Sequence, residues 1–389
     1  MNTASLTRRI YFDHSATTPV APEVFEAMRP FFGEVFGNAS SIHAFGQEAK
    51  VALENARTQL AALIGAEPGE VVFTSGGTES DNWAIKGAAA FFSGTKNHII
   101  TSAVEHHAVL YTCRHLEKHG VQVTYLPVDE FGAVAPERVE EAIRDETFLI
   151  SVMHANNELG TINPIREIGA IARARGVLFH TDAVQTCGKI PVNVRDLNVD
   201  LLTLSGHKIY GPKGIGALYI RKGVRLEKLL HGGRHERDRR AGTENVAAAV
   251  GLGKAAEICR ERMEEDMARL RDLGGALQRK IEAAVDGVAL NGHPQRRVPG
   301  LVNLSFEGAE SDALVLSLDL KGIAVSNGSA CSSGTVEPSH VLKALGLPKA
   351  RVNSAIRFSL GRKNTLEEVE FAVEALQEIL VRLRRLKRR

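Results

Sequence analysis

Between residues 71 and 220 the chain alternates short apolar runs with helix-like stretches, and this rhythm restricts its fold more than any other feature. Compact runs at 71–73, 98–102, 121–126, 148–153, 177–179, 201–204 and 216–220 have the length and side chains of buried strands. Helix patterns fit 82–92, 136–144 and 165–174, and another follows Val104-Glu-His-His107 as far as His119. Strands alternating with helices imply a largely parallel sheet covered on both faces. In such sheets ligands bind beyond the carboxyl ends of the strands. The polar clusters 75–78, His106, 156–158, 182–185 and 205–208 all fall at those ends, so separate loops are expected to meet at one rim.

The flanks differ. Residues 10–12 read as a short strand running into Asp13-His-Ser-Ala-Thr-Thr-Pro19, and helices fit 22–31 and 49–63. A Gly- and Arg-rich loop spans 231–245, either solvated or reaching toward a second subunit. A long helical region, about 246–285, follows, with Gly274-Gly275 as a candidate bend. Strands at 301–306, 323–326 and 355–360, with helices at 311–320, 340–345 and 366–386, form a smaller α+β lobe. We expect a large domain over 16–258 and a small one made of 1–15 and 259–389.

A net charge of +2 offers no argument for nucleic acid, although six basic residues crowd into 382–389. That run suits the solvated end of a helix. The four cysteines, at 113, 187, 259 and 331, show no paired metal-ligand spacing, and scattered thiols suit a reducing compartment. No apolar run is long enough to span a bilayer and the N-terminus lacks an apolar leader core, so the chain reads as soluble and cytoplasmic.

The chemistry concentrates at the rim. In Leu201-Leu-Thr-Leu-Ser-Gly-His-Lys208 a buried strand ends on a lysine, where burial disfavours the ammonium and supplies an amine able to form a Schiff base. A surface-turn lysine beside a phosphate or an acid is the plainer alternative. Val71-Val-Phe73 runs into Thr74-Ser-Gly-Gly-Thr78 and then a helix, a geometry that offers backbone N–H groups and a helix dipole to a phosphate. Asp182 closes an apolar strand and can hold a cationic ring nitrogen or cap a turn; Gln185 adds a neutral hydrogen bond. Ser205 and His207 offer donors to a phosphate beside Lys208. An amine, a carboxylate for a ring nitrogen and a phosphate cup are together what pyridoxal 5′-phosphate requires. Arg357, inside an apolar strand pattern, needs a partner: a substrate carboxylate or an internal acid. Cys331, in Ser326-Asn-Gly-Ser-Ala-Cys-Ser-Ser-Gly334, is placed like an accessible nucleophile or like a thiol in an ordinary loop, whereas the other cysteines read as packing residues.

In order along the chain, YFDHSATTP, FTSGGTESDN, EHHAVL, NNELG, TDAVQ, SGHKIYGPKG, AGTEN, SNGSACSSG and IRFSLGR together resemble the cysteine desulfurases of the NifS/IscS-like group. The resemblance implies an α/β fold, the fold type I of pyridoxal-phosphate transferases, with a mainly parallel seven-stranded sheet and a small α+β domain carrying the cysteine loop. It implies Lys208 as the cofactor-bearing amine, Asp182 on the pyridine nitrogen, Gln185 on the ring hydroxyl, and His106 stacked on the ring and transferring protons near neutral pH. It assigns the phosphate to Gly77, Thr78, Ser205 and His207, with Thr243 supplied by the other subunit of a homodimer. Asn157 and Arg357, and more weakly Asn38, would hold the carboxylate of L-cysteine. Cys331 would take the sulfur as a persulfide and pass it to an acceptor such as an iron–sulfur scaffold. No stable metal site is implied, with Cys331 only a transient iron–sulfur ligand, and neither nucleic acid nor membrane is an expected partner.

Overall fold

All seven apolar runs between 71 and 220 become strands. The computed structural model describes residues 9–327 and 338–387. After β1 (Ile10–Tyr11) come β2 (Val71–Thr74), β3 (His98–Ser102), β4 (Gln122–Leu126), β5 (Thr147–Ser151), β6 (Leu178–Asp182), β7 (Leu201–Ser205) and β8 (Gly216–Ile220). The last seven form one sheet in the order β2-β8-β7-β6-β5-β3-β4. Five neighbouring strands, β3 to β7, run parallel, and β8 inserts antiparallel between β2 and β7. Alternate residues serve opposite faces, as the period of two demands. Val71, Phe73, Ile100, Ile150, Leu202 and Leu204 join one core, while Val72, Ile99, Leu149, Leu201 and Leu218 join the core on the other side. Fully burying each such side chain contributes about 1.5–3 kcal/mol, which holds the register of every strand.

The remainder builds a second core. β9 (Val288–Asn291), β10 (Leu301–Phe306) and, after β11 (Ile323–Ala324), β12 (Ala355–Ser359) make an antiparallel sheet in the order β12-β10-β9. β11 pairs parallel with β1, so the N-terminal segment packs Ile10 and Phe12 into this second core. β9 was not expected from the sequence; three of its four side chains are only half-buried, which leaves little apolar signal.

The helix Val246–Ala284 runs from one core into the other, and Gly274-Gly275, the candidate bend, does not interrupt it. Gly274 serves another purpose: a Cβ there would stand 3.1 Å from Gly300 Cα, so the missing side chain permits a close backbone approach. Part of the basic terminus is structural rather than solvated, because Arg384 in the helix Leu366–Lys387 donates to the carbonyls of Glu307 and Asp286. Among the described residues no helix is long and apolar enough to cross a membrane, and no group of three or more metal-ligating side chains comes together.

Candidate active site

The carboxyl ends of the parallel strands open onto a cavity of about 410 Å³. Gly77, Thr78, His106, Asn157, Asp182, Gln185, Ser205, His207, Lys208 and Arg357 all line it, as the sequence predicts. Ser15, Ala16, Asp81, Met153 and Val184 complete the wall.

One end is a helix N-terminus. The helix Gly77–Phe91 starts directly after β2, five residues earlier than its pattern suggested, because the polar GGTES segment is its first turn. Gly76 bridges strand and helix at φ +152° and ψ −177°, a conformation open essentially to glycine alone. No side chain caps this helix, so its first N–H groups and the positive end of its dipole face the cavity. Glu79, in the same turn, accepts from Ser75 N (2.7 Å) and from Arg240 Nε (2.8 Å), which ties the Arg-rich loop to the cup.

The adjoining wall is built by the residues after β7. Gly206–Lys208 is a single tight turn, with Gly206 N bonded to Ile215 O. The segment Ser15–Thr18 packs on it: Thr18 N donates to His207 O (2.8 Å), and His207 Nδ1 lies 3.1 Å from Thr17 Oγ1. Lys208 is half-buried, and its Nζ donates to the carbonyls of Ser15 (2.6 Å) and Ala16 (2.7 Å). Orientation by two carbonyls, more than burial alone, therefore defines this lysine. His207 is held down to about 4, chiefly by burial and then by the Lys208 charge.

The floor is acidic and its carboxyls are buried. Asp182 Oδ1 accepts from Val184 N at 2.9 Å as a turn cap, and the side chain also lines the cavity. Burial raises its carboxyl to about 6, opposed by that N–H and by Lys208. Asp81, also buried, is raised well above the ordinary carboxyl range by burial and then by Asp182. Its Oδ1 has no hydrogen-bond partner and stands 3.6 Å from His180 Nε2.

His106 departs from expectation. It caps the helix His107–Glu117, with Nδ1 accepting from Ala108 N at 3.2 Å, so the neutral ring carries its proton on Nε2. Burial, Lys208, His107 and His340 hold it down to about 4. It is therefore a neutral flat ring with an N–H donor at physiological pH, not a group titrating near neutrality. Arg357 has the internal acid among its partners. It donates to Asp13 Oδ1 (2.7 Å) and to Asn157 O (2.9 Å), yet its buried Nε has no partner.

Two expected residues stand elsewhere in the single chain. Asn38 is exposed and accepts from Ser40 N. Thr243 lines a separate cavity of about 240 Å³ with Ser75 and Arg240. Cys331 lies outside the described residues. Cys113, Cys187 and Cys259 are buried as expected, and burial pushes the Cys113 thiol up to about 12. Sequence reasoning missed Asp13, Ser15, Ala16, Asp81 and Lys189, although the DHSATTP, SGGTESD and TDAVQTCGK blocks contain them.

The sequence matches the family described as aminotransferase class-V over residues 10–371. The chain belongs to the class-V aminotransferases. Within this family it is 52% identical to a cysteine desulfurase IscS of Dictyoglomus turgidum, over 97% of this chain and 96% of that protein. It is 53% identical to the cysteine desulfurase IscS of Methanosarcina thermophila, over 98% and 95%. A solved NifS-like protein superposes with a TM-score of 0.91 at 40% identity, covering 96% of this chain and all of that one. A structure titled SspA in complex with cysteine gives 0.82 at 40% identity, covering 90% and 98%.

Pyridoxal 5′-phosphate is the cofactor of this family, and the residues present suit it. The uncapped helix N-terminus with Thr78, Ser205 and His207 matches a phosphate. Two buried carboxyls, one with an unpartnered oxygen, are costly together and are relieved by a cationic ring nitrogen. Lys208 lines the same cavity.

Proposed function

We propose that this chain is a cysteine desulfurase that converts L-cysteine to L-alanine and passes the sulfur through Cys331 to an acceptor protein. The observation that carries the reading is the single cavity uniting Lys208, Asp182 and an uncapped helix N-terminus with a buried arginine on its wall. When bound, the cofactor supplies an aldehyde that links to amines and a ring that withdraws electrons from the substrate Cα.

The chain's own residues do the rest. Gly77, Thr78, Ser205 and His207 hold the phosphate, and Asp182 keeps the proton on the ring nitrogen. Arg357 and Asn157 hold the substrate carboxylate, which leaves Arg357 Nε satisfied. Lys208 takes the Cα proton at Nζ and later returns one to carbon. His106 covers the ring face and donates from Nε2. The Cys331 thiolate attacks the substrate sulfur; an S–S bond forms, the C–S bond breaks, and its electron pair stays on carbon to be protonated as alanine leaves.

Two observations support a homodimer. Thr243 stands off the cavity of its own chain, where a second copy would use it. Phe32, Phe36, Ile42 and Phe45 are exposed within one short stretch of chain, with the Phe45 ring 5.6 Å from that of Phe36, apolar surface suited to a subunit contact. We assign 16–258 to the cofactor domain, 1–15 and 259–389 to the small domain, and the protein to the cytoplasm, with an iron–sulfur scaffold or a thiolation protein as acceptor. Alanine and sulfide release from L-cysteine, compared among the parent, Lys208→Ala and Cys331→Ala, tests the reading. Both variants should lose activity, and equal rates in all three would end the proposal.

A further inference from the structure

A lysine outside the cofactor cavity connects to it through one side chain. Lys189 lies four residues beyond Gln185, and its Nζ donates to Gln185 Oε1 at 2.8 Å. The other end of that amide, Nε2, donates to Ser15 O at 3.0 Å, the same carbonyl that accepts from Lys208 Nζ at 2.6 Å. A lysine amine is a donor to the amide oxygen and a carbonyl is only an acceptor, so the two partners allow a single orientation of the Gln185 amide. Gln185 lines the cofactor cavity. In this orientation it can offer the cavity its second Nε2 hydrogen, a donor, and not its oxygen.

Lys189 itself faces the other way. It lines a second cavity of about 30 Å³, room for about one water, on the far side of Lys208, together with His14, Tyr210, Asp266 and Arg362. Burial, then Lys208 and Arg357, lower its amine to about 7, with the Cys259 thiol acting weakly in the opposite sense. A neutral amine still donates, so the contact with Gln185 survives on both sides of neutrality.

We propose that Lys189 is a positioning residue for the ring-hydroxyl end of the cofactor, holding Gln185 with its Nε2 hydrogen toward the cavity. This rests on the pyridoxal-phosphate reading above. Its physical consequence is specific. A donor on the ring oxygen draws off electron density and weakens that oxygen's hold on the proton it shares with the nitrogen of Lys208. Losing the donor, or letting the amide turn its oxygen inward, makes that proton harder to remove.

The test is a pH titration of the visible absorption of the cofactor-loaded protein, which reads this proton without turnover. Lys189→Met should raise the midpoint by about one pH unit, the scale of losing one close polar interaction with a titrating group, and Lys189→Arg should restore it. In a Gln185→Ala background, Lys189→Met should move the midpoint clearly less than in the parent. An equal shift in both backgrounds would overturn the proposal, since Lys189 would then act by its charge alone; so would an unchanged midpoint in Lys189→Met. Should Lys189→Met fail to fold, Lys189→Leu, which likewise lacks a donor, takes its place with the same expectation. A parent protein with no visible band would refute the cofactor reading instead, so the two failures are distinguishable.

Discussion

Arg357→Lys isolates what the guanidinium contributes to substrate binding. Arg357 sits on β12 with its side chain 3% exposed, one N–H on Asp13, one on Asn157 O, and a buried Nε without a partner. A substrate carboxylate arriving there can accept two charge-assisted bonds from the planar fork, each worth about 1.5–3 kcal/mol. Lysine keeps the charge but supplies one such bond at best. The loss is then about 1.5–3 kcal/mol, or roughly a 10- to 150-fold weaker hold on the substrate. Holding the carboxylate helps ground and transition states alike, so the loss should appear in KM for L-cysteine with kcat little changed. Initial rates of alanine formation against L-cysteine concentration measure this, and the visible absorption of the loaded variant checks that the cofactor site is intact. A KM within about twofold of the parent, in a folded and loaded variant, would refute the reasoning and leave Arg357 as the structural partner of Asp13.

Two further substitutions probe the frame of the site. Gly76→Ala places a side chain at φ +152° and should cost about 1–3 kcal/mol. It should also release the cofactor more readily, as seen by thermal unfolding with and without added pyridoxal phosphate; equal stabilisation of parent and variant by the cofactor would count against the helix N-terminus as its phosphate cup. Glu105 is buried, accepts from Ser102 Oγ (2.6 Å) and Met153 N (2.9 Å), and burial raises its carboxyl to about 8. The folded protein thus keeps a proton that the unfolded chain gives up above its ordinary value near 4.5. The stability this group contributes is present below that value and is lost as pH rises through about 8. Glu105→Gln, which cannot ionise, should therefore gain on the parent by about 1.4 kcal/mol per pH unit across that window and by no more above it. Denaturant unfolding at several pH values reads the difference, and a gap that does not change with pH would show that Glu105 is ionised in the fold.

The rhythm of apolar runs announced the large sheet because strands buried on both faces leave continuous apolar stretches. It could not announce β9, whose half-buried side chains carry little apolar signal, nor separate a bend at Gly274 from a close approach by Gly300, because glycine permits either. The cavity residues that end or closely follow strands, Asp182 and Lys208 above all, were legible because a polar group after a buried run stands out. Ser15 and Ala16 were not, because they act through backbone carbonyls that any residue possesses. Asp81 and Lys189 hid inside a helix start and a turn, where an acid or a lysine has an ordinary explanation. His106 was placed correctly, but its protonation depends on burial and on Lys208, His107 and His340, which only the folded chain assembles.

The most direct measurement is the mass of the Cys331 peptide after one addition of L-cysteine to the cofactor-loaded protein, without reductant or acceptor. The account predicts a gain of one sulfur atom on Cys331 in step with alanine formation, lost on reduction and absent in Lys208→Ala. Alanine accumulating while the Cys331 peptide keeps its original mass would contradict it.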